Sequence, residues 1–236
     1  MPFLYHFDPM YFIFMLPALL LVWLAKARVD GAYRKWSNVP NNLHLRGADV
    51  AQRLLRYAGL SDVRLEAVSG QMTDHYDPQS NVLRLSDGVG HRPSVAALAI
   101  TAHEIGHALQ DRDGYAPLKL RSAIVPAVNI GSTLGWILIL IGMLLQIAQV
   151  AWLGVIVFAG GAIFALVTLP VEFNASARAM ALLVDAGLIT DDEERRGVKS
   201  VLDAAALTYV AGLGAAVAQL MYYVFLVAGI GGRRRN

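Results

Sequence analysis

The chain has 236 residues, a net charge of +2, no cysteine, and 56% apolar residues at a mean hydropathy of +0.47. That apolar share exceeds the roughly 45–50% of ordinary soluble domains and points to an integral membrane protein with a modest polar region. The small net charge, with no basic stripe interleaved with aromatics, argues against nucleic acid as a partner. Without thiolates, any metal must be held by His, Asp, Glu or water.

The first apolar run, "PMYFIFMLPALLLVWLA" at 9–25, carries no charge between Asp8 and Lys26. It predicts a short membrane span anchored at its end by Trp23 and Lys26. No basic segment precedes it and no small-residue cleavage site follows, so it reads as an uncleaved signal anchor.

Residues 26–121 are polar and mixed. "NLHLRGADVAQRLLRYAGL" predicts an amphipathic helix with Val50, Ala51, Leu54 and Leu55 inward and Gly59 at its end. "VRLEAV" and "NVLRLS" alternate as strands, separated by the turn-rich "SGQMTDHYDPQS". A further helix is expected from Arg92-Pro93-Ser94 to about Arg112, with Pro93 in its first turn or Ser94 as its cap, and with Gly114 and Pro117 marking its end.

From Ser122 to Val171 there are fifty residues without a charge. One straight helix of that length would measure about 75 Å, more than twice a hydrocarbon core, so the run folds back on itself. The expected hairpin occupies 127–170, with spans near 127–146 and 151–170 and "QIAQV" as its turn. The polar segment 171–203 follows, where Asp191-Asp192-Glu193-Glu194 suits a helix start or a solvated face. A fourth span is expected at 206–229, with Gly212, Gly214, Ala215 and Ala218 allowing close helix packing. The fold class is thus a mainly α polytopic membrane protein of about four spans with a small α+β region. Seventeen of the twenty Lys and Arg residues lie in 26–121 and 172–203. By the positive-inside rule this polar side faces the cytoplasm, which sets the Arg233–Arg235 triplet outside and against the rule if the fourth span crosses fully.

The chemistry centres on "ITAHEIGHALQDRDG", residues 100–114. On a helix, His103 and His107 share a face and can present imidazole nitrogens to one ion. Glu104 sits beside the first ligand, placed to take a proton from a water that zinc activates and to pass it to a leaving amine. This is the logic of H-E-x-x-H. Gly106 costs about 1 kcal/mol relative to alanine, which suggests close approach by substrate or by another backbone, or plain helix packing. A catalytic zinc needs three protein ligands and an open position. Asp111, Asp113, Asp185 and the other histidines are candidates for the third, but Glu172 is the best, because it opens the segment leaving the hairpin and so emerges on the same face as the His103 helix.

"TAHEIGHALQ", then "EFNASARA" two spans later, with "TDHYDP" and "NVLRLS" ahead of the helix, together resemble the YugP-like membrane zinc metallopeptidases over nearly the whole chain. The resemblance implies a neutral zinc endopeptidase related to the gluzincins, with one zinc per chain held by His103, His107 and Glu172, and with Glu104 as base. Wider relatives carry E-F-x-A-D where this chain has Glu172-Phe173-Asn174-Ala175-Ser176. Ser176 thus replaces an acid that would orient a ligand histidine, and its hydroxyl is expected to do so by hydrogen bonding. Arg178 is a further candidate near Glu172. Tyr209, on the first turn of the fourth span, is a candidate oxyanion donor or an interfacial belt tyrosine. His75 is a candidate cleft residue or a surface turn histidine, and "TDHYDPQSNVLRLS" offers an edge strand for an extended peptide.

The expected activity is hydrolysis of membrane or membrane-proximal polypeptides at the cytoplasmic face of a bacterial cytoplasmic membrane. Asp111, Arg112 and Asp113 follow the site within a turn and would be costly in hydrocarbon, which disfavours cleavage inside the bilayer. The alternative is a non-catalytic zinc-binding scaffold or chaperone partner, against which the filled base position argues. A transporter would carry paired ionisable groups at mid-depth, whereas Asn129 and Gln149 are the most polar side chains of the hairpin. Oligomeric state is not legible.

Overall fold

A computed structural model describes residues 9–232, so the Arg233–Arg235 triplet lies outside the described residues. The order of elements is α1 (Pro9–Ser37), α2 (Gly47–Tyr57), β1 (Arg64–Val68), β2 (His75–Asp77), β3 (Val82–Ser86), α3 (Asp87–Gly90), α4 (Val95–Arg112), α5 (Ala116–Leu144), α6 (Ala148–Phe158), α7 (Gly160–Asp185) and α8 (Asp192–Gly232). Four helical stretches are long and apolar enough to cross a membrane: Pro9–Ser37, Ala116–Leu144, Ala148–Asp185 and Asp192–Gly229. They cover the expected spans, except that the second ends at Leu144 rather than at 146, and each helix runs on into the polar sequence. No proline intervenes between Lys26 and Ser37, and Arg34 and Lys35 in the last turn of α1 complement its negative end. At the start of α8, the Asp191 carboxylate accepts a hydrogen bond from the Glu194 amide at 2.7 Å, so the acidic run is a helix start.

The chain forms two compact units. Among the described residues, the first comprises 9–24, 120–168 and 209–232; the second comprises 25–119 and 169–208. In the first, the hairpin turn falls at 145–147, where Gln146 takes a positive φ of 55° inside the anticipated "QIAQV". Glycines bring the two arms together. A Cβ on Gly135 would lie 2.9 Å from the Gly154 carbonyl oxygen, and one on Gly142 would lie 2.3 Å from the Ala151 nitrogen. Such small-residue contacts supply packing where lipid offers no hydrophobic drive. Gly212, singled out for the same role, has nothing within 4 Å of its would-be Cβ.

The second unit has its own core, to which α2 gives Val50, Ala51 and Leu54, α4 gives Leu98 and Ile105, α7 gives Leu183 and α8 gives Val198. On α2 the buried residues match the amphipathic pattern, and Gly59 ends the helix with φ at 68°. The sheet has the order β1-β3-β2, with β1 parallel and β2 antiparallel to the central β3. The strand β2 lies inside the stretch read as turn; three residues are too few to show a period of two. Its end is pinned where Asp74 accepts hydrogen bonds from the Ser86 amide and hydroxyl. Ser94 caps α4 by accepting from the Ala97 amide at 3.1 Å, so Pro93 lies outside the helix rather than in its first turn. Pro117 belongs to the first turn of α5, where its missing N–H costs nothing, and does not serve to end α4.

Candidate metal centre

α4 is buried along most of its length, and its alanines let neighbouring backbones come close. The decisive approach is at Gly106: a Cβ there would lie 2.5 Å from the carbonyl oxygen of Ala175 on α7. The close partner anticipated at this glycine is therefore a second helix. With α4 and α7 in backbone contact at Gly106 and Ala175, side chains one turn away on each helix meet. His103 and His107 from α4 and Glu172 from α7 converge, and their ligand atoms all lie within 4.8 Å of one another.

The distances suit a metal. The Nε2 atoms of His103 and His107 lie 3.3 and 3.5 Å from Glu172 Oε2. Zinc bonds of about 2.0–2.2 Å at tetrahedral angles set donor atoms about 3.3–3.6 Å apart. Two imidazoles and one carboxylate are also the donor chemistry of a catalytic zinc with an open fourth position. Of the other candidate third ligands, Asp111 accepts from the Tyr76 hydroxyl at 2.9 Å and Asp113 pairs with Arg112 and Arg178, while Asp185 and the other described histidines are not part of the cluster. Burial and Asp111 push the Tyr76 phenol above its ordinary range, which keeps that hydroxyl a donor.

Both imidazoles are held from behind. Ser176 Oγ lies 3.2 Å from His103 Nδ1, in the position foreseen for it. Gln110, fully buried, contacts His107 Nδ1 through Oε1 at 3.0 Å, while its amide nitrogen donates to the Val171 carbonyl at 2.7 Å and to Asn174 Oδ1 at 3.0 Å. A backbone carbonyl can only accept, so the amide group of Gln110 is fixed with its NH2 toward α7 and its oxygen toward the histidine. His107 Nδ1 must then carry the proton, which leaves the Nε2 lone pair directed at the trio. Arg178 extends this chain without touching Glu172: it donates to Asn174 Oδ1 at 2.8 Å and pairs with Asp113, whose carboxyl it holds below the ordinary range, with Arg112 assisting. Gln110 and Asn174 were passed over in the sequence. Gln110 sits seven residues after His103 and three after His107, on their helix face, and that spacing was the available signal.

Glu104 stands outside the ligand trio. Its Oε2 accepts the Tyr76 amide N–H at 3.1 Å, which joins the edge strand β2 directly to the helix of the two histidines. Burial raises the Glu104 carboxyl above the ordinary glutamate range, against the opposing pull of both histidines. His107 is lowered by burial but raised more by Glu172 and Glu104, so its net shift is upward. His75 is exposed and bonds its own turn, with Nδ1 2.8 Å from the Thr73 carbonyl; its neighbour Tyr76 makes the contact to the site. Tyr209 lies on α8 in the first unit, whereas the trio belongs to the second.

A model of the family described as "Putative neutral zinc metallopeptidase" matches residues 11–228. The "Putative membrane protease YugP" of Bacillus subtilis (strain 168) is 43% identical over 228 residues, covering 96% of this chain and 100% of that protein. No solved structure matches.

Proposed function

The chain belongs to the neutral zinc metallopeptidase family, and from that premise we propose that it is an endopeptidase acting on membrane or membrane-proximal polypeptides at the membrane surface, with Glu104 as general base. The supporting observation is the trio of donor atoms within 4.8 Å of one another, with each histidine Nε2 3.3–3.5 Å from the Glu172 oxygen, and a further carboxylate, Glu104, beside it. Zinc held by His103, His107 and Glu172 would polarise a water and the scissile carbonyl. Glu104 then takes a proton from the attacking water and returns it to the amine as the C–N bond breaks, so the residue ends as it began. A carboxyl raised by burial is suited to holding that proton in transit.

β2 supports a mode of substrate binding. It is an edge strand, paired on one side with β3, and its Tyr76 N–H points away from β3 to Glu104. An extended peptide laid along this free edge would bring a backbone carbonyl past the base. Seventeen of the twenty Lys and Arg residues lie in the segments 26–121 and 172–203 that carry the site, and the positive-inside rule turns that side to the cytoplasm of a bacterial cell.

Zinc content and casein cleavage by the detergent-purified chain test the reading. Wild type holds about one zinc and cleaves; Glu104→Gln holds the same zinc and loses about 10²–10⁴-fold in rate; Glu172→Ala loses zinc. Cleavage by Glu104→Gln at the wild-type rate would sink the mechanism, and undiminished zinc in Glu172→Ala would remove Glu172 from the ligand set. Zinc without cleavage of any polypeptide would favour the scaffold.

A further inference from the structure

Between the second half of α1 and the first half of α8, within the second unit, lies a cavity of about 540 Å³, inside the range of about 300–1,000 Å³ typical of small-molecule sites. Small residues open it: Ala27, Gly31 and Ala32 on α1, Ser200 and Ala204 on α8. Gly197 admits the Trp36 ring that forms part of the wall, since a Cβ there would lie 2.7 Å from the ring.

The charged lining is one-sided. Arg28, Lys35, Arg196 and Lys199 face a single carboxylate, Asp203, which leaves a surplus of three positive charges. Asp203 is already bound by Lys199 at 2.6 Å, and Lys35 stands over the Trp36 ring. Arg28 and Arg196 are exposed and form no salt bridge within 4 Å among the described residues, although Arg196 attracts Asp191 at longer range. Nothing in the metal centre uses this cluster.

We propose that the cavity binds the phosphate headgroup of an anionic phospholipid. Guanidinium forks on two facing helices match phosphate oxygens in shape and charge. Placement along the sequence supplies the lipid. On α1 the charge-free run ends at Ala25 and the cavity begins at Ala27; on α8 the charge-free run begins at Ala204, and the lining ends at Leu207. On both helices the basic residues occupy the turns next to the apolar run, the level at which headgroups meet a spanning helix. Basic pockets between helices at that level take anionic headgroups.

The test uses the full chain in a neutral detergent, titrated with short-chain phosphatidylglycerol, short-chain phosphatidylcholine or inorganic phosphate, and read by melting temperature. Phosphatidylglycerol should raise Tm with saturation, and the other two should not. The variant Arg28→Gln/Arg196→Gln should melt at the wild-type temperature without lipid and bind phosphatidylglycerol about thirtyfold more weakly, at about fivefold per basic residue near a membrane surface. Arg53→Gln/Arg56→Gln, which removes the same charge from the exposed side of α2, should bind as wild type. Equal shifts with phosphatidylcholine, undiminished binding by the cavity variant, or equal losses in both variants would each overturn the proposal. Saturation by inorganic phosphate at the same concentrations would overturn the lipid assignment in favour of a soluble phosphate.

Discussion

The candidate metal centre depends on single side chains outside the ligand trio. Gln110 fixes the His107 tautomer and ties it to α7 through the Val171 carbonyl. Gln110→Leu fills similar space but frees the ring and leaves that carbonyl without its donor, so zinc affinity should drop about 10–100-fold, as for other outer partners of ligand histidines. Competition with a chelator of known affinity measures it; unchanged affinity would make the glutamine a packing residue. Asp113 offers a pH test. Its folded pKa lies below the ordinary 3.8, because Arg178 and then Arg112 favour the carboxylate. A depressed carboxyl contributes stability above its unfolded pKa and loses it as pH falls through the folded one. The Tm gap between wild type and Asp113→Asn should therefore be present at neutral pH and close below about pH 4. A gap that is the same at every pH would detach it from this ion pair.

At the scale of elements, the contact of α4 with α7 carries the site. In an exposed helix, Gly→Ala stabilises by about 1 kcal/mol. Gly106→Ala should reverse that sign, because the new methyl meets the Ala175 carbonyl at 2.5 Å. A loss of about 1–3 kcal/mol is expected from overpacking, read as a lower Tm together with weaker zinc binding, since the clash would part the ligand helices. A stabilised variant would mean the helices give way freely. Helix positions were legible in the sequence because α2 and α4 show their periodicity and caps, and the membrane runs show their length. The trio was legible because His103 and His107 share a face by spacing and Glu172 follows a hairpin that returns the chain. What stayed hidden is three-dimensional pairing. β2 is too short for a pattern, the parallel register of β1 on β3 leaves no local mark, and Asn174 bonds Gln110 across 64 residues.

For the whole molecule, zinc would act as a ligand of the native state that joins α4 to α7. Such a ligand adds about 2.7 kcal/mol at a hundred times its Kd. Chelation by EDTA should therefore lower Tm by several degrees in wild type and in Glu104→Gln, and much less in Glu172→Ala, with recovery on adding zinc. Equal melting of wild type with and without chelator would show that the two helices need no metal to stay together.

The order of these residues along the chain also sets a schedule. Glu172 follows His107 by 65 residues, and every residue of the apolar hairpin lies between them. At a synthesis rate of about 5–20 residues per second, the histidines are joined to the chain roughly 3–13 s before the carboxylate exists. A nascent chain halted anywhere in that interval holds two of the three candidate ligands and lacks the third. The candidate site therefore stays incomplete until the hairpin between its halves has been made.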